Sequence, residues 1–287
     1  MDQVTISIIA AALAVAAWIA LLHVRRRHRR AAAARAPFPE AWRRILDENV
    51  ALYRRVPDEL REQLHRDINI FLAEKEFEGC GGLDVTEEMK VIIACEACLL
   101  LLNRENDNFP TLNTILIYPH PYIARQRRAA GSVIVDEPTL RGGESWTGGD
   151  LVLAWDCVEK SASRDHAPGN VVIHEFAHQL DQEDGAADGA PLLGTRSRYI
   201  SWADVLGREF EELKSRVARH RSTVLDPYGA THPAEFFAVA TETFFTRPET
   251  LHTAEPELYR ELSHFYRLDP VAWNGTSARH TPQGESS

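Results

Sequence analysis

Asn170-Val-Val-Ile-His174-Glu175-Phe-Ala-His178-Gln-Leu-Asp181 is the stretch from which the rest of the chain can be read. It has the form of a helix carrying His-Glu-x-x-His. A helix turns by about 100° per residue, so His174 and His178 stand one above the other on a single face. Two imidazoles at that spacing can bind one Zn²⁺. Glu175 is rotated off the pair yet close enough to reach a water held by the metal. Asn170 is a good N-cap, and Asp184-Gly185 offers an exit. Val172, Ile173, Phe176, Ala177 and Leu180 supply a buried side. Zinc that does chemistry needs a third protein ligand and an open fourth position.

Working outward, Leu151–Trp155 is a strand candidate just upstream. Thr114–Tyr118 and Ser132–Asp136 are β-branched or apolar runs set off by Pro and Gly clusters. The Arg141–Gly149 segment reads as a flexible turn, and Arg125, Arg127 and Arg128 as a solvated loop. Helical periodicity runs through Glu40–Leu52 and Asp58–Glu74. Thr86 caps a strongly apolar helix, Glu87–Leu102, which is too short to span a bilayer. Downstream, Ser201–His220, Pro233–Phe245 and Pro256–Phe265 read as helices. The fold class is therefore α+β, a small sheet with a mostly helical remainder, and Asn274–Ser287 reads as a disordered tail.

The third ligand belongs on a later helix. Asp181, Asp184, Glu235 and Glu242 are the carboxylates in range. Asp181 starts one turn from a metal between the histidines and suits orienting an imidazole; Asp184 lies further out. Pro233 fits a first helical turn with His232 or Thr231 as cap. Glu235 and Glu242 then share one face. Glu235 could also be a first-turn carboxylate favoured by the helix dipole, and Glu242 a hydrogen-bond partner for a ligand histidine.

Composition narrows the classes. The chain has 287 residues, enough for one large domain or two small ones. Six arginines lie in residues 1–35, and the remainder carries 26 basic against 41 acidic side chains, which argues against direct nucleic-acid binding. Four cysteines do not make a disulfide framework, so the compartment reads as reducing. Cys95-Glu-Ala-Cys98 reads as two buried small side chains rather than half a metal site. Val4–Leu22 is free of charge, about 28 Å long as a helix, and followed by Arg25, Arg26, Arg27, Arg29 and Arg30. That order predicts a single span through residues 4–24, with the arginines and everything after them in the cytoplasm. The expected organisation is a membrane anchor with basic flank over 1–30, a linker over 31–37, a catalytic domain over 38–270 and a tail over 271–287. A cytoplasmic protein without a span is the alternative.

From about Phe38 to Pro270 the chain resembles the Mlc titration factor A family of zinc metallopeptidases, within the gluzincin clan. The resemblance rests on Phe77-Glu-Gly-Cys-Gly-Gly, Gly143-Glu-Ser-Trp-Thr-Gly-Gly, Val172–Asp181 and Pro227-Tyr-Gly-Ala-Thr-His-Pro-Ala-Glu-Phe-Phe-Ala-Val. His232 stands where the family usually has Asp. The resemblance implies a zincin-like domain, zinc on His174, His178 and Glu235, and Glu175 as general base. It also implies a Tyr seven residues before the glutamate ligand facing the metal, a position that Tyr228 fills. Such a Tyr can face the metal only if the ligand lies near the start of its helix, which favours Glu235 over Glu242. The implied activity is hydrolysis of peptide or protein substrates, an aminopeptidase being one form of it. The alternative is a regulator that sequesters a Mlc-like transcriptional repressor.

Overall fold

The chain begins in one long helix, α1 (Gln3–Arg35). The computed structural model describes residues 3–104, 108–130, 133–141, 143–145, 149–166 and 168–273; for 3–12, 122–130, 133–141 and 144–145 it describes the backbone. The tail expected over 274–287 lies outside the described residues. Among the described residues no helix is long and apolar enough to cross a membrane. The transmembrane helix expected in residues 4–24, and the single-pass placement built on it, are therefore corrected. Much of the run is alanine, which offers little apolar area. Its basic flank belongs to the same helix and docks on protein. Arg29 donates to the Ala73 carbonyl at 2.8 Å, and Arg26 and Arg30 lie 3.7 and 3.6 Å from the Glu74 carboxylate. The stretch 31–37, expected as a linker, continues α1 as far as Arg35.

Helices α2 (Glu40–Asn49) and α3 (Ala51–Arg55) replace the single helix expected over Glu40–Leu52, because Val50 between them is extended. Helix α4 (Asp58–Glu74) has the expected bounds. After strand β1 (Glu76–Gly79) comes α5 (Glu87–Leu99). The Thr86 hydroxyl accepts from Met89 N, and Glu87 and Glu88 complement the dipole in the first turn. Beyond that turn α5 is buried on every side, from Val91 to Leu99, as an all-round apolar sequence requires. It packs against α2, α3 and α4.

Five further strands follow: β2 (Thr114–Tyr118), β3 (Tyr122–Ala130), β4 (Val133–Arg141), the short β5 (Gly143–Ser145) and β6 (Asp150–Ala154), of which β2, β5 and β6 join β1 in one sheet. Strands β1, β2 and β6 run parallel, with Glu76 opposite Thr114 and Thr114 opposite Asp150. Strand β5 closes one edge antiparallel to β6, with Gly143 opposite Leu153. Strands β3 and β4 form their own antiparallel ribbon. The basic run expected as a loop is thus part of β3, and the presumed flexible turn contains β5.

Beyond the sheet follow α6 (Trp155–Ala162), α7 (Val171–Asp181), α8 (Arg196–Ala218) and α9 (Pro233–Thr246). The C-terminal part adds α10 (Pro248–Ala254), α11 (Pro256–Tyr266) and α12 (Pro270–Trp273). The molecule is mostly helical with a small sheet. Helix α7 lies between α5 and α9, with β5 alongside. Phe71, Phe109 and Phe176 pack as one aromatic group in the core. Position 174 thereby lies two residues from a fully buried aromatic group.

Candidate metal site

Asn170 starts α7. Its Oδ1 accepts from Ile173 N at 3.0 Å, and its carbonyl accepts the first helical bond, from His174 N. Helix α7 ends where expected: a single 3₁₀ turn, Gln182–Asp184, leads into Gly185 in the left-handed region. Between these ends His174 and His178 face α9. On α9, His232 is the cap, its Nδ1 accepting from Ala234 N, and Pro233 occupies the first turn. Glu235 follows at once.

These two helices bring His174, His178 and Glu235 together. His174 Nε2 lies 3.2 Å from His178 Nε2 and 3.1 Å from Glu235 Oε2, and His178 Nε2 lies 3.3 Å from the same oxygen. The three atoms form a nearly equilateral triangle. A tetrahedral zinc with bonds of about 2.0–2.1 Å sets its ligand atoms about 3.3–3.4 Å apart. The set therefore fits one small divalent cation. On its far side the His174 ring donates from Nδ1 to Glu242 Oε1 at 2.5 Å, which leaves Nε2 for a ligand.

Electrostatics follow from this crowding. Burial works against a charged His174, yet Glu242, Glu235 and Glu175 together hold its pKa well above the usual imidazole value. Burial likewise pushes Glu235 upward, but hydrogen bonds from His174 and His178 outweigh it and hold the carboxyl well below its ordinary range. Glu175 is raised, by burial first, with His174 and His178 opposing. The Tyr228 hydroxyl donates to Glu235 Oε1 at 3.3 Å, and its ring centre lies 6.3 Å from that of His174. Asp226 holds that turn by accepting from Tyr228 N.

The other carboxylates sort themselves. Asp181, a candidate either to orient an imidazole or to serve the loop after the helix, accepts from Gly189 N at 3.0 Å, and burial raises its pKa to about 6. The Gly189 carbonyl accepts in turn from Trp202 Nε1 on α8. Asp181 thus fastens the loop after α7. Asp184 is exposed and caps its own turn at Ala186 N.

Two features escaped the sequence reading. The strand beside Glu175 is β5, which the sequence reading held as part of a turn; β6 lies behind it, and β4, which starts at Val133, belongs to the separate ribbon. A Cβ at Gly143 would come within 2.6 Å of Glu175 Cγ and 2.7 Å of its Oε1. Only a glycine lets this backbone lie against that carboxylate. Gly143→Ala should destabilise the fold by about 1–3 kcal/mol, the usual cost of overpacking, as read from the denaturant midpoint; an unchanged midpoint would show that Glu175 has room to move. The second feature is Glu96, at the centre of the Cys95-Glu-Ala-Cys98 motif. Both cysteines are fully buried and free, as expected, but the motif's polar centre joins the site through Asn170.

A family model described as glucose-regulated metallo-peptidase M90 matches residues 23–267. An uncharacterized protein of Synechocystis sp. (strain ATCC 27184 / PCC 6803 / Kazusa) is 40% identical over 237 residues, 82% of this chain and 86% of that protein. Mlc titration factor A of Serratia proteamaculans is 34% identical over 205 residues, 70% of this chain and 77% of its own. The protein of the same name from Cronobacter sakazakii is 31% identical over 243 residues, covering 83% and 89%.

Proposed function

The chain belongs to the Mlc titration factor A family, whose model is described as glucose-regulated metallo-peptidase M90, and from that premise we propose that it is a zinc-dependent peptidase. The observation that carries the proposal is the triangle of His174 Nε2, His178 Nε2 and Glu235 Oε2, with edges of 3.1–3.3 Å. Those three residues would hold the metal. When bound there, zinc would act as a Lewis acid on the scissile carbonyl and lower the pKa of a water toward about 7.

The chain's own groups do the rest. Glu175, buried against the β5 backbone, takes the proton from the attacking water and passes it to the leaving amine. Its dry surroundings raise its proton affinity above that of an ordinary carboxylate. Tyr228 donates its hydroxyl to the oxyanion that forms at the carbonyl. Glu242 keeps the His174 tautomer that offers Nε2. Strand β5, at one end of the sheet order, presents backbone along which an extended peptide can add as a further strand.

The test is incubation of the full chain with a peptide library, with and without a zinc chelator. Cleavage that chelation stops and added zinc restores is expected; no cleavage by zinc-loaded protein would overturn the proposal. In the same assay Tyr228→Phe should lower kcat by about 10²–10³-fold, in the range of one lost oxyanion donor, while zinc content stays at wild-type level. An unchanged kcat would remove Tyr228 from the mechanism. A second reading comes from the relatives' names: the chain would bind and titrate a Mlc-like repressor, with or without cutting it.

A further inference from the structure

Helix α5 contributes a carboxylate that the mechanism above does not use. Glu96 is completely buried, and its Oε2 has no hydrogen-bond partner among the described residues. Its Oε1 accepts from Asn170 Nδ2 at 2.5 Å. Asn170 is itself buried, and each of its polar groups is engaged. Oδ1 caps α7 at Ile173 N, the carbonyl accepts from His174 N, and the backbone N–H donates to Glu242 Oε2 at 2.7 Å. The other oxygen of Glu242 holds His174 Nδ1. Gly169 completes the arrangement, because a Cβ there would stand 2.8 Å from Glu242 Oε2.

We propose that Glu96 is a positioning residue of the metal site, acting through Asn170 to fix both the start of α7 and the Glu242 carboxylate that orients the His174 ring. The inference rests on the reading that His174, His178 and Glu235 hold a metal. The physical argument concerns the Asn170 amide. Its oxygen and nitrogen have nearly the same shape, so a buried amide with one partner could turn over and lose the cap. An acceptor facing Nδ2 excludes the turned-over state. With the amide held, Asn170 N–H stays directed at Glu242, and the imidazole is kept in one tautomer and one orientation. Burial pushes the Glu96 pKa up to about 8, and glutamine, of the same length and shape, keeps an uncharged carbonyl acceptor for Asn170 Nδ2. Glu242, which touches the His174 ring itself, is a partner whose loss typically costs about 10–100-fold; Glu96 acts through Asn170 and Glu242, so its loss should fall at the low end of that range or below it.

The experiment measures zinc affinity by chelator competition on the full chain, together with the visible spectrum of the cobalt-substituted protein. Glu96→Met should weaken zinc binding several-fold, up to about 10-fold, and shift the cobalt bands, in protein whose circular dichroism shows it folded. Glu96→Gln, which keeps the acceptor, should restore both. Asn170→Ser keeps a capping oxygen and the backbone N–H but lacks Nδ2, and should lose about as much as Glu96→Met. The double variant should lose little more than either alone, because both changes break one path. A purely structural glutamate would lower the unfolding midpoint and leave the affinity and cobalt spectrum of the folded protein untouched; that result overturns the inference. Should Glu96→Met fail to fold, Asn170→Ser decides in the same way. A wild-type chain that binds no zinc would sink the underlying site reading, whereas wild-type binding with unaltered variants would sink this inference alone.

Discussion

Glu235→Ala should leave purification without tightly bound zinc, while Glu242→Ala and Asp181→Ala should retain it with weakened affinity. The contrast follows from geometry. Glu235 Oε2 forms two edges of the three-atom triangle, at 3.1 and 3.3 Å. Its removal leaves two imidazoles on one helix, and a catalytic zinc site uses three protein ligands. Glu242 touches only the far side of the His174 ring, so its loss should cost about 10–100-fold. Asp181 acts further away, through the Gly189 loop, and its loss should cost less than that of Glu242. Zinc stoichiometry by atomic emission, with affinities by chelator competition, orders the three variants. Full zinc retention by Glu235→Ala would overturn the ligand assignment.

Glu175→Gln should do the reverse: hold zinc at wild-type stoichiometry and lose peptidase activity by about 10²–10⁴-fold, the contribution of a positioned general base. Glutamine has nearly the same shape, so the close fit against Gly143 is kept. It cannot accept the proton. Substrate affinity should be little changed, which places the loss in kcat. The variant also separates the two readings of function. If the chain acts on a Mlc-like repressor by cutting it, the biological effect disappears in Glu175→Gln; if it acts by titration, binding and effect persist. Wild-type cleavage rates in this variant would remove Glu175 from the mechanism.

What could be read from residues one after another was what depends on near neighbours. The bounds of α4, the caps at Thr86 and Asn170, the Gly185 exit and the pairing of His174 with His178 are settled within a turn or two of helix. The backbone's own hydrogen bonds and staggered side chains fix them. Family motifs pointed further, to Glu235 and Tyr228, about fifty positions downstream. Tertiary structure decided what depends on distant partners. Strands β1 and β5 are three or four residues long, too short for periodicity to show, and exist because β2 and β6 offer them an edge. The apolar N-terminal run read as a membrane span because its uncharged stretch has about the length of a bilayer core and is followed by arginines. In the fold those arginines meet Glu74 and the Ala73 carbonyl, and no described helix has the length and apolarity to cross a bilayer. Likewise, no pattern marks Glu96, because its reason for being there is an asparagine on another helix. A sequence carries the local signals that start and stop its elements. Which buried polar group meets which is decided only once packing excludes water and leaves each such group one partner to find.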